Sequence, residues 1–192
     1  DQKEAARIAR ALQEAGANLI NVSCYTEACI EPGTYPQGWK KHFAQGIKEA
    51  VSIPVLSVCN IKEPGPAETL IKEGVCDLVG LGRALLADPD WPRKAFSGRE
   101  SEIRTCIGCL GCFDEICKLK RVRCAVNPLT GREREYAHTL TNGAGRRVAV
   151  VGAGPAGIQA ALTLKKRGFA PVLLDENAAP GGALNIADKG HG

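Results

Sequence analysis

Short apolar runs alternate with helical periods through about the first hundred residues, and that alternation leaves few folds open. Ala5, Ile8, Ala9 and Leu12 recur at i, i+3, i+4 and i+7, and Gly16 is placed to end that helix. Residues 18–22, 53–58 and 77–81 read as strands, with Pro54 at a strand start, where a missing N–H is tolerated. Residues 39–50, 64–73 and 91–96 read as helices, and Gly74 closes the second of them. Strands and helices in strict turn mean βα units and a parallel sheet. The strands carry mostly apolar residues, which predicts cover on both faces. A complete eight-unit barrel takes about 250 residues. Three units therefore predict either a small doubly wound domain or the end of a barrel whose beginning is absent.

The pattern changes from residue 99 onward. The chain holds nine cysteines, an odd number that no closed disulfide framework uses up. Cys106, Cys109 and Cys112 form C-x2-C-x2-C, and Cys124 follows. Four thiolates hold one [4Fe–4S] cube, three from a tight loop and one from a later turn. Structural zinc also takes four thiolates, but usually as two separate C-x2-C knuckles. The three-residue steps favour the cube. Gly108 and Gly111 let backbone N–H groups approach the sulfurs. Cys117 competes with Cys124 for the fourth position, although its spacing and the Lys118 that follows differ from the ferredoxin pattern. Cys24, Cys29, Cys59 and Cys76 read as small buried hydrophobes. This cysteine usage predicts a reducing, cytoplasmic setting. A net charge of +4, without a basic block, argues against a nucleic-acid partner. No apolar run approaches the roughly 20 residues of a membrane helix.

Residues 147–151 form an apolar run that leads into Gly152-x-Gly154-x-x-Gly157, and a helical pattern then runs to Gly168. Residues 171–175 read as the next strand, with Asp175 at its end and Glu176 as a rival acid. Each residue type has its reason in a dinucleotide site. The glycines allow the turn and the approach of backbone to pyrophosphate, and the carboxylate meets ribose hydroxyls. An acid at that point disfavours a 2′-phosphate, so FAD or NAD suits the loop better than NADP. Gly80, Gly82 and Arg83 follow the third strand and open a helix, where barrels commonly bind phosphate and where Arg83 supplies a bidentate donor.

A βα end carrying Gly-Arg, a cysteine cluster and a dinucleotide loop, in that order, resemble the old-yellow-enzyme type of NADH:flavin oxidoreductase with a C-terminal flavin domain. This is the group of 2,4-dienoyl-CoA reductase, trimethylamine dehydrogenase and enoate reductase. The matching stretches are residues 53–55, 77–89, 106–109, 124–128 and 150–157, together with Gly181 and Gly182. The resemblance implies an α/β chain in three parts. Residues 1–98 are the C-terminal part of an FMN-binding TIM (β/α)8 barrel, strands six to eight. Residues 99–144 are a [4Fe–4S] segment, and residues 145–192 are the first βαβ of a Rossmann-like FAD/NAD(P)-binding domain. The chain then reads as a fragment, inactive alone.

The resemblance also implies roles. Gly82 and Arg83 hold the FMN phosphate, with help from Cys59 and Asn60. Cys106, Cys109, Cys112 and Cys124 hold the cluster. Gly152, Ala153, Gly154, Ala156, Gly157 and Gly182 cradle FAD, and Asp175 meets its ribose. Electrons pass from NAD(P)H through FAD, the cluster and FMN to an activated C=C bond of an enoate or enoyl-CoA. An amine substrate, with electrons leaving through the cluster, is the alternative within the family; a structural zinc module without catalysis is the alternative outside it. Where relatives place a His after strand six, this chain has Tyr25 and Thr26, which makes Tyr25 the candidate proton donor. The full-length protein is expected to be able to form homo-oligomers.

Overall fold

The computed structural model describes residues 1–23, 35–58, 60–136 and 140–187. Tyr25 and Cys59 lie outside the described residues. The chain divides into two compact units, Asp1–Arg132 and Glu133–Gly192.

In the first unit the order is α1 (Gln2–Glu14), β1 (Ile20–Val22), α2 (Lys41–Lys48), β2 (Val55–Ser57), α3 (Pro64–Lys72) and β3 (Leu78–Val79). Then come α4 (Arg83–Ala87), α5 (Trp91–Phe96), a 3-10 turn at Glu100–Glu102 and α6 (Gly111–Cys117). Helix α1 begins where the Asp1 carboxylate accepts the Glu4 N–H at 2.9 Å. It ends before Gly16, whose φ of +99° a side chain would resist. The sheet is parallel, in the order β1-β2-β3, with Ile20 opposite Val55 and Leu56 opposite Leu78. Val55 on the central strand is fully buried among Ala9, Ala44, Ile47, Leu70 and Val75.

Long-range polar groups set the frame around that core. The Asp77 carboxylate accepts the Val55 N–H at 2.8 Å and pairs with Lys48 at 2.8 Å. Gln13 Oε1 accepts the N–H groups of Ser52 and Ile53. The strands are shorter than the apolar runs predict. β2 spans three residues, Val55–Ser57, and β3 two, Leu78–Val79. Cys76 is buried, as a small hydrophobe should be, and burial pushes its thiol up.

The second unit runs α7 (Glu133–Tyr136), β4 (Arg147–Val151), α8 (Pro155–Lys166), β5 (Ala170–Leu174) and α9 (Leu184–Ala187). β4 and β5 pair in parallel, Val150 opposite Leu173, with α8 as the crossover. The apolar runs of the first unit predict cover on both faces, and there Leu78 of β3 remains 43% exposed. Helix α8 covers one face only, and Val151 remains 85% exposed. Among the described residues no helix is long and apolar enough to cross a membrane.

Gly80 marks where β3 meets its neighbour. A Cβ there would come within 2.7 Å of Val58 Cγ2 and 2.8 Å of Leu56 Cδ2. Gly80→Ala is expected to cost about 1–3 kcal/mol in urea unfolding. Gly65→Ala, which meets nothing within 4 Å in the first turns of α3, should be neutral or slightly stabilising.

Candidate cofactor sites

Three parallel strands point their carboxyl ends the same way, and the loops leaving β2 and β3 form the first pocket, lined by Asn60, Ile61, Gly80, Gly82 and Arg83. Gly82 precedes α4, whose first residue is Arg83. Arg83 Nη2 donates to Asn60 Oδ1 at 3.0 Å, while Asn60 Nδ2 donates to the Tyr35 carbonyl at 3.0 Å. Asn60 sits at φ +52° and spends both ends of its amide on the protein, so it orients Arg83. Gln37 Oε1 accepts the N–H groups of Lys62 and Glu63, and Trp91 Nε1 donates to the Lys62 carbonyl at 2.7 Å, so this loop is held on several sides. Arg83 Nη1 is buried without a hydrogen-bond partner. A cationic donor left so is costly unless an anion meets it. A phosphate fits that requirement.

Arg83 also borders a second pocket. Cys106, Cys109, Cys112 and Cys124 all line it, together with Leu86 and Val126. Gly108 at φ +68° and Leu110 at φ +58° bend the loop around the hollow. The Gly108 N–H donates to Cys106 Sγ at 3.4 Å. Cys117, the rival ligand, is exposed at the end of α6 and is not part of this lining. Burial pushes the Cys112 thiol up, and the neighbouring Cys106 and Cys109 push it further, against the pull of the Phe113 N–H. Thiols gathered this way need positive charge from a metal before they all ionise. Four thiols lining one pocket are a donor set that either a [4Fe–4S] cluster or a tetrahedral zinc takes, although among the described residues no group of three or more His, Cys, Asp or Glu is already drawn close enough to hold a metal ion.

The sequence reading missed the groups that fasten this loop. The Asp88 carboxylate, almost fully buried, accepts the Arg104 N–H at 2.9 Å and Lys94 Nζ at 2.6 Å. Asn127 Nδ2 and Thr130 Oγ1 both donate to the Leu86 carbonyl, at 2.9 and 2.7 Å. Asp88 and Asn127 fall within the stretches 77–89 and 124–128 that carry the resemblance, but neither was given a role there.

In the second unit the Gly152 N–H donates to the Leu174 carbonyl at 2.7 Å, and Gly152 turns at φ +94°. Gly154 precedes α8, and Ala156 lies in the helix's first turn. A Cβ on Gly157 would overlap the Gly152 carbonyl. Asp175 Oδ2 accepts the Ala153 N–H at 2.6 Å, and Oδ1 accepts the Asn177 N–H at 2.8 Å. These bonds, the Ala153 one foremost, hold the Asp175 carboxyl below the usual carboxylate range. Gly181 donates its N–H to the Ala153 carbonyl at 2.8 Å, and a Cβ on Gly182 would press within 3.2 Å of Gly154 Cα. The pair therefore packs directly on the glycine loop.

Residues 1–102 match the NADH:flavin oxidoreductase / NADH oxidase family, and residues 150–191 match an NAD(P)-binding Rossmann-like domain. The chain is 43% identical to an NADH oxidase of Thermoanaerobacter brockii, over 99% of this chain and 30% of that protein. It is 40% identical to a metal reductase of Desulforamulus reducens, over 96% of this chain and 28% of that protein. Among solved structures, a 2-naphthoyl-CoA reductase superposes with a TM-score of 0.85 at 28% identity, covering 97% of this chain and 29% of that one. A histamine dehydrogenase from Rhizobium sp. 4-9 superposes with a TM-score of 0.79 at 30% identity, covering 96% of this chain and 28% of that one. The chain thus spans less than a third of the length of these relatives.

Asp88 gives the first unit an acid limit. Burial alone would push its carboxyl up, but the Arg104 N–H, Lys94 and the Asp90 N–H outweigh it and hold the carboxyl low. The unfolded chain then binds a proton more tightly than the folded one. The stabilisation is complete above the ordinary Asp value of about 3.9 and fades as pH falls through the depressed folded value. Thermal unfolding followed from pH 7 to pH 2 should steepen below about pH 4, and Asp88→Asn should flatten that limb while lowering stability at pH 7.

Proposed function

The chain belongs to the NADH:flavin oxidoreductase / NADH oxidase family, and from that premise we propose that it forms the flavin-phosphate and iron–sulfur part of an oxidoreductase that reduces an activated C=C bond with NAD(P)H. The observation that carries this reading is the common pocket of Cys106, Cys109, Cys112 and Cys124, bordered by the same Arg83 that borders the phosphate pocket.

Residues 1–98 then belong to an FMN-binding barrel, residues 99–144 to the cluster segment, and residues 145–192 to a flavin or nicotinamide dinucleotide domain. Arg83 Nη1 and the backbone at Gly82 hold the FMN phosphate; Asn60 aims the guanidinium, and Cys59 stands beside it in sequence. The four cysteines hold a [4Fe–4S] cluster. Gly152, Ala153, Gly154, Ala156, Gly157 and Gly182 leave room for a pyrophosphate against backbone. Asp175 Oδ1 already accepts both the N–H and the Nδ2 of Asn177, while Oδ2, which accepts the Ala153 N–H, keeps a second lone pair for a ribose hydroxyl. When bound, the flavins exchange electron pairs with nicotinamide and substrate, while the cluster carries single electrons. Tyr25 is the candidate donor of the proton that completes C=C reduction.

A dimethylamine dehydrogenase from Hyphomicrobium sp. is 35% identical over 88% of this chain, which supports a second reading with an amine as electron source. Bleaching of the flavin by reduced nicotinamide under anaerobic conditions supports the first reading; bleaching by amine alone supports the second.

Anaerobically prepared protein should carry about four iron and four acid-labile sulfide per chain, and Cys106→Ser or Cys124→Ser should remove most of both. About one zinc without sulfide would refute the cluster. Arg83→Ala removes a charged donor worth about 1.5–3 kcal/mol, so FMN retention measured by ultrafiltration should weaken about 10- to 100-fold. Gly157→Ala should abolish dinucleotide binding and leave the iron content unchanged.

A further inference from the structure

The cysteine loop is tied down on both flanks to residues 86–88, by groups that line neither pocket. Upstream, Asp88 Oδ2 takes the Arg104 N–H, and Lys94, clamped on the same oxygen, also donates to the Glu102 carbonyl at 2.9 Å. Cys106 comes two residues after Arg104. Downstream, Asn127 and Thr130 share the Leu86 carbonyl, three and six residues after Cys124. Asn127 Oδ1 in turn accepts the Leu129 N–H at 3.1 Å, which fixes its amide. All three side chains belong to nearly buried residues: Asp88 is 4%, Asn127 4% and Thr130 3% exposed. Leu86, whose carbonyl Asn127 and Thr130 share, itself lines the thiol pocket.

We propose that Asp88, Asn127 and Thr130 are positioning residues for the iron–sulfur cluster, acting through the Arg104 N–H and the Leu86 carbonyl to fix where Cys106 and Cys124 present their sulfurs. The inference rests on the cluster reading above. Between the two flanks lie only α6 and irregular chain, with no sheet to hold the loop. A cube needs all four sulfurs at once, so a flank free to slip by an ångström loses a ligand or admits water. Solvent access and N–H···S bonds, such as that from Gly108, set the electronic character of such a cluster. Loosening either flank therefore changes the cluster and not only the stability of the fold.

The test uses the anaerobically loaded protein and two readouts: the rate at which a chelator bleaches the cluster absorbance, and the electron paramagnetic resonance spectrum after reduction. Asp88→Asn and Thr130→Val should bleach about 10-fold faster than wild type or more, with altered spectra. Thr130→Ser, which keeps the hydroxyl, should behave as wild type. Leu70→Ala, a core truncation away from the cysteines, should lower the melting temperature and leave both readouts unchanged. If Asp88→Asn does not fold, Thr130→Val against Thr130→Ser carries the comparison. Wild-type bleaching and spectra in Thr130→Val, or bleaching in Leu70→Ala as fast as in Thr130→Val, overturn the positioning role alone. Folded wild-type protein with no iron or sulfide overturns the cluster reading and the positioning role with it.

Discussion

The Leu86 carbonyl accepts side-chain hydrogen bonds from residues more than forty positions further along the chain, and the carboxylate of Asp88 beside it receives the opposite flank of the same segment. A carbonyl in the last turn of a helix has no partner within that helix. Here two buried donors complete it. Leaving any one of Asp88, Asn127 or Thr130 unpaired would cost about 1–3 kcal/mol, so alternative paths for the cysteine segment are penalised several times over. Helix α4, only five residues long, thereby borders the Asn60–Gly82 pocket through Arg83 and the thiol pocket through Leu86. Apolar packing alone would not specify this, because it tolerates sliding where a satisfied polar network does not.

The unpaired Arg83 Nη1 carries meaning because of where it stands. Arg167 Nε in the second unit is also buried without a partner. Yet the Arg167 guanidinium rests over the Phe169 ring and another of its nitrogens donates to Asn142 Oδ1 at 2.8 Å, so its charge is already accommodated. Arg83 instead borders two pockets, at the carboxyl ends of parallel strands, where open α/β folds and barrels place their ligands. An orphaned donor marks a site when a hollow and a converging frame accompany it.

Local signals in the sequence carried the helix ends. Gly16, Gly74 and Gly168 were read as helix stops, and all three adopt positive φ. The run at residues 147–151 coincides with β4 because a clean apolar stretch is bounded there by a charged residue and a glycine. The nearness of Cys106, Cys109 and Cys112 was legible from their three-residue steps, whereas the presence of Cys124, and not Cys117, in the same lining was left open by spacing. The anchors were not. Asp88 reaches Arg104 across 16 residues and Asn127 reaches Leu86 across 41. A hydrogen bond over such a separation leaves no periodicity behind it. Asn60 entered only through the resemblance, and no sequence pattern could show that both ends of its amide are engaged by Arg83 and the Tyr35 carbonyl.

The electrostatics of the two units follow opposite logic. Around Cys112, burial and then the neighbouring Cys106 and Cys109 oppose ionisation of the thiol. At Asp175 the charge is already stabilised, by the Ala153 and Asn177 N–H groups, before any ligand is present. The glycine loop is likewise preset: Gly157 is demanded by contact with the Gly152 carbonyl, and Gly182 by the approach of Gly154. Rigid, prepaired backbone suits a dinucleotide that must bind with little reorganisation. The first unit thus gathers thiols whose ionisation burial opposes, whereas the second is sterically complete around its loop.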